Sequence, residues 1–311
     1  MLHRLLGLGT GCLEEFVNPL QHIYMDKLSD YFFRGLNRQR AARWFRQGLY
    51  VLVLLKCLYL ALHYSVMLGE NCMYLAVPRD LGWYINGAYV LLNSSWPYAG
   101  AVFLGLVVLA VLVSWRSHKH WYVPELLLWW CLLNLNNKMY ASASAGDYLL
   151  NQFLLFNVFL LVKKPVSFAW KRDWMVLLHN LAVVAVLVQV CLMYFITGLV
   201  KWVDADWLSG AAIGGILQIR HFSWWEPSAT TEVNTWWTAL LTYLVMGYQL
   251  LFPVLIWIRP LKKILLWFGI LTHVYIAFFM GLPYFAVVVI LGYVFFWPER
   301  GIKSPTLLRE D

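Results

Sequence analysis

Residues 193–210 carry the most chemically suggestive pattern in the sequence, MYFITGLVKWVDADWLSG. An apolar run ends there at Lys201, and Asp204, Asp206 and Trp207 follow within six residues. Three roles fit a lysine at this position. It could be an anchor whose ammonium group extends to the lipid head groups, one partner of an ion pair with either aspartate, or a base once desolvation favours its neutral form.

A second polar group closes an earlier apolar run, LNLNNKMY. Asn134, Asn137 and Lys138 recur at positions i, i+3 and i+4, which places them on one helix face, and Asn136 lies beside them. Polar side chains inside a membrane need a partner or a wet cavity. We therefore regard Asn136, Asn137 and Lys138 as candidate cavity-lining residues.

A third polar group opens the next apolar run, AGDYLLNQ, where Asp147 and Asn151 are one helical turn apart. Asp147 near a helix N-terminus is also favoured by the helix dipole, which is a purely structural role. The short turn before this run would bring Lys138 close to Asp147. Two interpretations stay open: a salt bridge that closes the helical hairpin, or polar groups that line a functional cavity.

Tyr194 and His273 lie deeper in apolar runs. Tyr194 shares a helix face with Lys201, seven residues further on. His273 lies roughly two turns, or ~10 Å, from the end of its run. A lone histidine in such a run either hydrogen-bonds to a neighbouring helix or transfers protons if a cavity reaches it.

The composition indicates a helical membrane protein. The chain of 311 residues is 61% hydrophobic and only 13% charged, with a mean hydropathy of +0.63. Its net charge of +8 does not indicate nucleic-acid binding, because the basic residues form short clusters between apolar runs. The five cysteines have no metal-ligand spacing, so no metal site is predicted.

Eight apolar runs are predicted to cross the membrane, at residues 47–68, 98–114, 121–139, 147–162, 174–200, 236–258, 264–280 and 282–297. Residues 1–46 are predicted to form an amphipathic segment on the cytoplasmic membrane surface, with Arg43 and Arg46 among its solvated anchors to lipid head groups. Residues 299–311 are predicted to be a cytoplasmic tail. The predicted fold class is an all-α polytopic membrane bundle of about eight transmembrane helices.

The distribution of basic residues predicts the orientation of this bundle. Nineteen of the 24 lysine and arginine residues fall on one side of the predicted spans, which is therefore expected to be cytoplasmic. Both termini would lie on that side, and Lys201 would lie on the opposite, extracytoplasmic side.

Three stretches resemble the HTTM family, the membrane domain shared with vitamin K-dependent gamma-glutamyl carboxylase. One carboxylase stretch has YFI followed by a small residue, Gly, a lysine and DADW. It is similar to YFITGLVKWVDADWLSG in this chain, where the lysine is Lys201. LTHVYIAFFMGLPYFAVVVILGYVFFWPE resembles the final hairpin of the family with its histidine, here His273. NNKMYASASAGDYLLNQFLLFNVFL resembles the Gly-Asp-leading span of bacterial members. The similarity covers about residues 45–300, so residues 47–298 are expected to form an HTTM-like domain of a short, bacterial-type member.

The resemblance implies definite chemistry. In the carboxylase, the motif lysine deprotonates vitamin K hydroquinone, reaction with oxygen yields a strong base that removes a gamma proton from a peptide glutamate, and carbon dioxide traps the carbanion. Lys201 would be the base and His273 a polar partner. The implied cofactor is a quinol such as menaquinol or vitamin K hydroquinone. The implied partners are membrane lipid and an exported peptide at a bacterial inner membrane.

Departures from the family pattern leave two functions open. Asn136, Asn137 and Lys138 stand where the carboxylase has Asn-Asn-His, and Gln249 stands where many bacterial relatives carry Glu. The carboxylase's luminal domain has no counterpart before Asp311, so we expect a second membrane or periplasmic protein to present any peptide. The chain is then either a quinol-coupled peptide-modifying enzyme or a non-catalytic, partner-binding membrane subunit of an export or toxin system.

Overall fold

The computed structural model describes residues 32, 37–69, 90–91, 94, 96–116, 122–140, 142–162, 169–219 and 235–297. All regular structure in these ranges is helical, in agreement with the predicted all-α class. The predicted tail 299–311, and the predicted surface segment apart from residues 32 and 37–46, lie outside the described residues.

Eleven α-helices occur in the described part of the chain and are numbered here in order. They are α1 Gln39–Leu62, α2 Tyr64–Met67, α3 Ala99–Arg116, α4 Tyr122–Lys138, α5 Ala145–Asn157, α6 Ala169–Trp202, α7 Ala205–Leu208, α8 Ala212–Gln218, α9 Trp236–Leu255, α10 Arg259–Phe279 and α11 Pro283–Gly292. A 3₁₀ turn over Tyr293–Phe295 follows α11. Seven of the eight predicted spans overlap one helix of this set each, and the first, 47–68, overlaps α1 and α2.

Five helices are long and apolar enough to cross a membrane: α1, α3, α6 over Asp173–Trp202, α9 and α10. By length and composition the chain therefore has the character of a helical membrane protein. Helices α4, α5 and α11 have 17, 13 and 10 residues, fewer than the ~20 that a perpendicular crossing needs. The eight-span arrangement stays a prediction.

Helix α1 begins earlier than the predicted first span and carries a basic residue into the interior. Its face of Ala42, Phe45 and Leu49 packs into the bundle, and Arg46 lies on this same face with only 7% exposure. Arg43 points outward and is exposed. The prediction that Arg46 is a solvated head-group anchor is therefore wrong, because the helix turns it toward the core.

Arg46 is held by a polar network that joins three helices. Its Nε donates to Asn157 Oδ1 at 3.0 Å, and Nη2 donates to the Asn157 carbonyl at 3.0 Å. Glu125 Oε1 lies 3.8 Å from Arg46 Nε and accepts a hydrogen bond from the Tyr50 hydroxyl, while Oε2 accepts one from Asn157 Nδ2 at 2.8 Å. The network ties α1 to α4 and α5 with each charge paired, as burial requires.

Aromatic and glycine contacts complete the packing. The Phe45 ring of α1 meets Phe153 of α5 and Phe295 edge to face, with centroids 5.1 and 4.9 Å apart. Helices α6 and α9 approach closely at Gly198, where an added Cβ would lie 2.9 Å from Leu250 Cγ and Cδ2. A glycine at this position lets the two helices approach closely enough to border a common cavity.

We expect Arg46→Ala to destabilise the protein far more than Arg43→Ala. Removing Arg46 leaves Glu125 buried without its cationic partner, a loss of about 3–5 kcal/mol in comparable sites. Removing the exposed Arg43 should change the free energy of unfolding by no more than about 0.5 kcal/mol. The measurement is the thermal midpoint of detergent-solubilised protein, determined by size-exclusion chromatography after heating. Equal midpoints for the two variants would contradict the structural role of the network.

Candidate functional site

A cavity of about 890 Å³ lies between α5, α6, α8, α9 and α10. We call it the lysine–histidine cavity, after Lys201 and His273, which both line it. Most of its wall is apolar, and the remaining polar or aromatic lining residues include Gln189, Tyr194, Thr197, Trp207, Tyr248, Gln249 and Thr272. Five residues that the sequence nominates, Lys201, His273, Tyr194, Trp207 and Gln249, therefore meet around one space.

Lys201 lies at the end of α6, where its Nζ is 4.7 Å from the centre of the Trp207 ring. This contact is a cation–π interaction. Asp204 places Trp207 there by capping the short helix α7, since its Oδ1 accepts hydrogen bonds from the backbone N–H groups of Asp206 and Trp207 at 3.0 and 3.2 Å. Within the described ranges Lys201 forms no ion pair with Asp204 or Asp206, and both aspartates are exposed. The ion-pair interpretation of Lys201 is wrong, because its Nζ lies over the Trp207 ring and is paired with neither of these aspartates.

His273 of α10 is 4% exposed and has a defined tautomer when neutral. Its Nδ1 lies 2.8 Å from the Gly269 carbonyl oxygen, which can only accept, so Nδ1 carries the proton. Nε2 is then a hydrogen-bond acceptor. A neutral His273 can therefore accept a hydrogen bond from a ligand hydroxyl in the cavity that it lines.

Tyrosine hydroxyls cluster beside His273. The Tyr194 ring lies edge-on to the His273 ring at 6.2 Å, and the Tyr194 hydroxyl is hydrogen-bonded to the Tyr293 hydroxyl. The Tyr248 hydroxyl donates to the Leu265 carbonyl at 3.3 Å and lies 3.4 Å from the Tyr293 hydroxyl. Tyr248 and Tyr293 were not selected by sequence reasoning. Both could have been found from the sequence, because each places a hydroxyl group within an otherwise apolar run.

Lys201 and His273 stand at different depths of the cavity. Tyr194 contacts His273, and Lys201 follows Tyr194 by seven residues on α6, which is about 10 Å along the helix axis. The two side chains thus do not form a directly bonded pair. They can contact different parts of one elongated ligand.

A second cavity of about 1040 Å³ is lined by two other candidate residues from the sequence analysis, Asn136 and Asp147. Lys56 of α1 also lines it, so we call it the Lys56 cavity. Lys56 Nζ donates to Asn136 Oδ1 at 2.5 Å and forms an ion pair with Asp147 Oδ1. Asp147 Oδ2 accepts from the backbone N–H and hydroxyl of Ser144 at 2.7 and 2.9 Å, which caps α5.

The partner of Asp147 is therefore Lys56. The interpretation that Lys138 pairs with Asp147 to close the helical hairpin is wrong. That interpretation considered only the two helices joined by the turn, whereas Lys56 reaches Asp147 from α1. Lys138 is buried, with 9% exposure, and makes no ion pair in the described part of the chain. Asn137, Lys138 and Asn151 line neither of the two cavities, and the Asn151 side-chain oxygen is buried without a hydrogen bond among the described residues.

Comparisons with known protein families, curated proteins and solved structures found no match. The class of the protein rests on its own helices, and it is that of a helical membrane protein with internal cavities. Among the described residues, no group of three or more His, Cys, Asp or Glu side chains is arranged to hold a metal ion.

We expect Gly269→Ala to disturb the tyrosine cluster of the lysine–histidine cavity. A Cβ at this position would fall inside the van der Waals radii of the Tyr293 and Tyr248 hydroxyl oxygens, so those rings must move. Overpacking of this kind costs about 1–3 kcal/mol. The thermal midpoint should fall accordingly.

Gly247→Ala is the matched control for this substitution. Gly247 lies in α9, and an added Cβ there meets no atom within 4 Å. Alanine is also the better helix former. The control should equal or exceed the wild-type midpoint, and a Gly269→Ala midpoint as high as that of the control would contradict the packing argument.

Proposed function

We propose that the lysine–histidine cavity binds a quinol and that the protein is a quinol-coupled enzyme that modifies an exported peptide. One observation carries the proposal: Lys201 and His273 line the same largely apolar cavity. An apolar pocket with a few convergent polar groups is typical of sites for aromatic or lipid-like ligands. The resemblance to the HTTM family supports the same ligand class.

Lys201 would act as the base toward a quinol hydroxyl group. A neutral amine takes the hydroxyl proton and becomes ammonium, and the quinol becomes a monoanion. The Trp207 ring beside Nζ favours the ammonium form, so it stabilises the product of this transfer. Ligand entry must therefore desolvate Lys201 enough for the neutral amine to form before the transfer.

His273 and the polar residues beside it would orient the ligand. Neutral His273 offers Nε2 as an acceptor, as argued from its bond to Gly269. Gln249 and Gln189 supply amide groups to the same cavity. The quinol ring would then meet polar groups at one depth of the cavity, and the base Lys201 would lie at another. This arrangement suits a ligand that lies along α6.

The second candidate is a non-catalytic membrane subunit that binds a partner. The exposed rim beside Lys201 favours it, since Trp202 and Val203 are 55% and 79% exposed and Asp204 and Asp206 add negative charge. Exposed apolar groups rimmed by polar ones are typical of interaction surfaces. In both proposals the protein lies in a bacterial inner membrane, as the resemblance to bacterial members implies, with both termini cytoplasmic, as the basic residues predict.

The test is mass spectrometry of lipids that co-purify with the wild type, Lys201→Ala and Lys263→Ala. We expect the wild type and the exposed-lysine control Lys263→Ala to retain a quinone near one per chain, and Lys201→Ala to retain at least tenfold less. All three should have similar thermal midpoints. Only bulk phospholipid in every sample would overturn the quinol proposal and favour the partner-binding subunit.

Lys201→Arg separates binding from proton removal. Arginine keeps the positive charge and the stacking on Trp207 but does not become a neutral base at ordinary pH. We expect this variant to retain quinone while oxygen-dependent consumption of added quinol, followed by absorbance, slows at least tenfold. Unchanged consumption would exclude Lys201 as the base.

A further inference from the structure

The Lys56 cavity is separate from the lysine–histidine cavity and has its own polar corner. It lies between α1, the turn that connects α4 to α5, and α11. Lys56, Asn136, Ser144 and Asp147 form the corner, and the rest of the wall is mainly apolar. Phe285 contributes to the walls of both cavities.

Lys56 has one hydrogen-bond donor to spare. A lysine ammonium has three N–H groups. Asn136 Oδ1 and Asp147 Oδ1 accept two of them. The third has no hydrogen-bond acceptor atom in the part of the chain that the structure describes, and the ammonium lies 5.8 Å from the centre of the Tyr284 ring. The side chain is only 9% exposed, so bulk solvent does not supply a ready acceptor. A buried N–H group without an acceptor is unfavourable, and a ligand oxygen that accepts this hydrogen bond would remove that cost.

The charges at this corner cancel. Lys56 and Asp147 form a one-to-one ion pair, and the Asp147 carboxylate is further satisfied by Ser144. Asn136 is neutral. An anionic or cationic head group would therefore meet no compensating excess charge after leaving water. The corner suits an uncharged ligand that presents an acceptor oxygen.

The cavity opens sideways from the helix bundle. Val51, Leu55 and Tyr59 of α1 line it and are 46%, 56% and 50% exposed, and Val287 of α11 lines it with 47% exposure. Because α1 is one of the helices long and apolar enough to cross a membrane, these exposed apolar groups would face lipid. The entrance is therefore accessible to a molecule dissolved in the bilayer.

We propose that the Lys56 cavity is a lateral binding site for an uncharged lipid whose carbonyl oxygen accepts a hydrogen bond from Lys56. The hydrocarbon part of the lipid lies along Val51 and Leu55, and its head reaches the corner formed with Asp147. This site binds its lipid through residues of its own, apart from Phe285, which both cavities share.

The test uses full-length protein in phosphatidylcholine nanodiscs and a diacylglycerol with a diazirine on one acyl chain. Photolysis followed by peptide mass spectrometry should place most label on α1 and α11 around the cavity. Excess unlabelled diacylglycerol should remove at least four-fifths of that label, whereas hexadecane, which lacks an acceptor, should not. Phosphatidic acid with the same diazirine chain should label the cavity at least fivefold less.

Variants identify the residue that binds the head group. Lys56→Met combined with Asp147→Asn removes the ammonium and leaves no unpaired charge, and the asparagine side-chain oxygen can still accept the hydrogen bonds that Ser144, the N-cap of α5, donates. We expect the double variant to keep its helical circular dichroism, and we expect its displaceable label to fall at least fivefold. Lys263→Ala should label like the wild type, because Lys263 is exposed and lines neither cavity. Label spread evenly over the lipid-facing helices, or unchanged in the folded double variant, would overturn the proposal.

Discussion

The two buried charges of α1 are paired with groups on neighbouring helices, and this pairing determines how these helices are arranged. Arg46 is paired with Glu125 and Asn157, and Lys56 with Asp147. Both pairs connect α1 to the α4–α5 hairpin. In an apolar environment the loss of one partner leaves an uncompensated charge, so the two pairs fix α1 at two levels along its length.

Helix α5 transmits this constraint to both cavities. Its first turn is capped through Ser144 and Asp147, and Asp147 is held by Lys56 on one side. On its other side, Tyr148 and Leu149 line the lysine–histidine cavity. A short helix of 13 residues thus separates two spaces of different chemistry. One space has a paired, neutral corner, whereas the other has a lysine and a histidine at different depths.

Much of this arrangement follows from local sequence patterns, and the rest depends on contacts between distant parts of the chain. Apolar runs and helical periodicity predicted helices at all eight places, and the motif around Lys201 drew attention to residues that line a cavity with His273. The role of Lys56 was missed because its partner Asp147 is 91 residues away, and nothing near Lys56 in the chain indicates it. The burial of Arg46 depends on the rotation of α1, which is set by packing against α3, α5 and α11 and not by proximity to the other arginines. The five long helices could be distinguished from the three shorter ones, α4, α5 and α11, only in part, because polar residues at the ends of apolar runs leave the crossing length open.

The ring of Phe285 gives the two cavities a common boundary. It lines both spaces and lies 5.8 Å from the His273 ring, measured between ring centres. A rotation of this ring that enlarges one space takes volume from the other. Two occupants would then be linked by a coupling free energy. If binding of one ligand weakens binding of the other, the second ligand weakens binding of the first by the same factor.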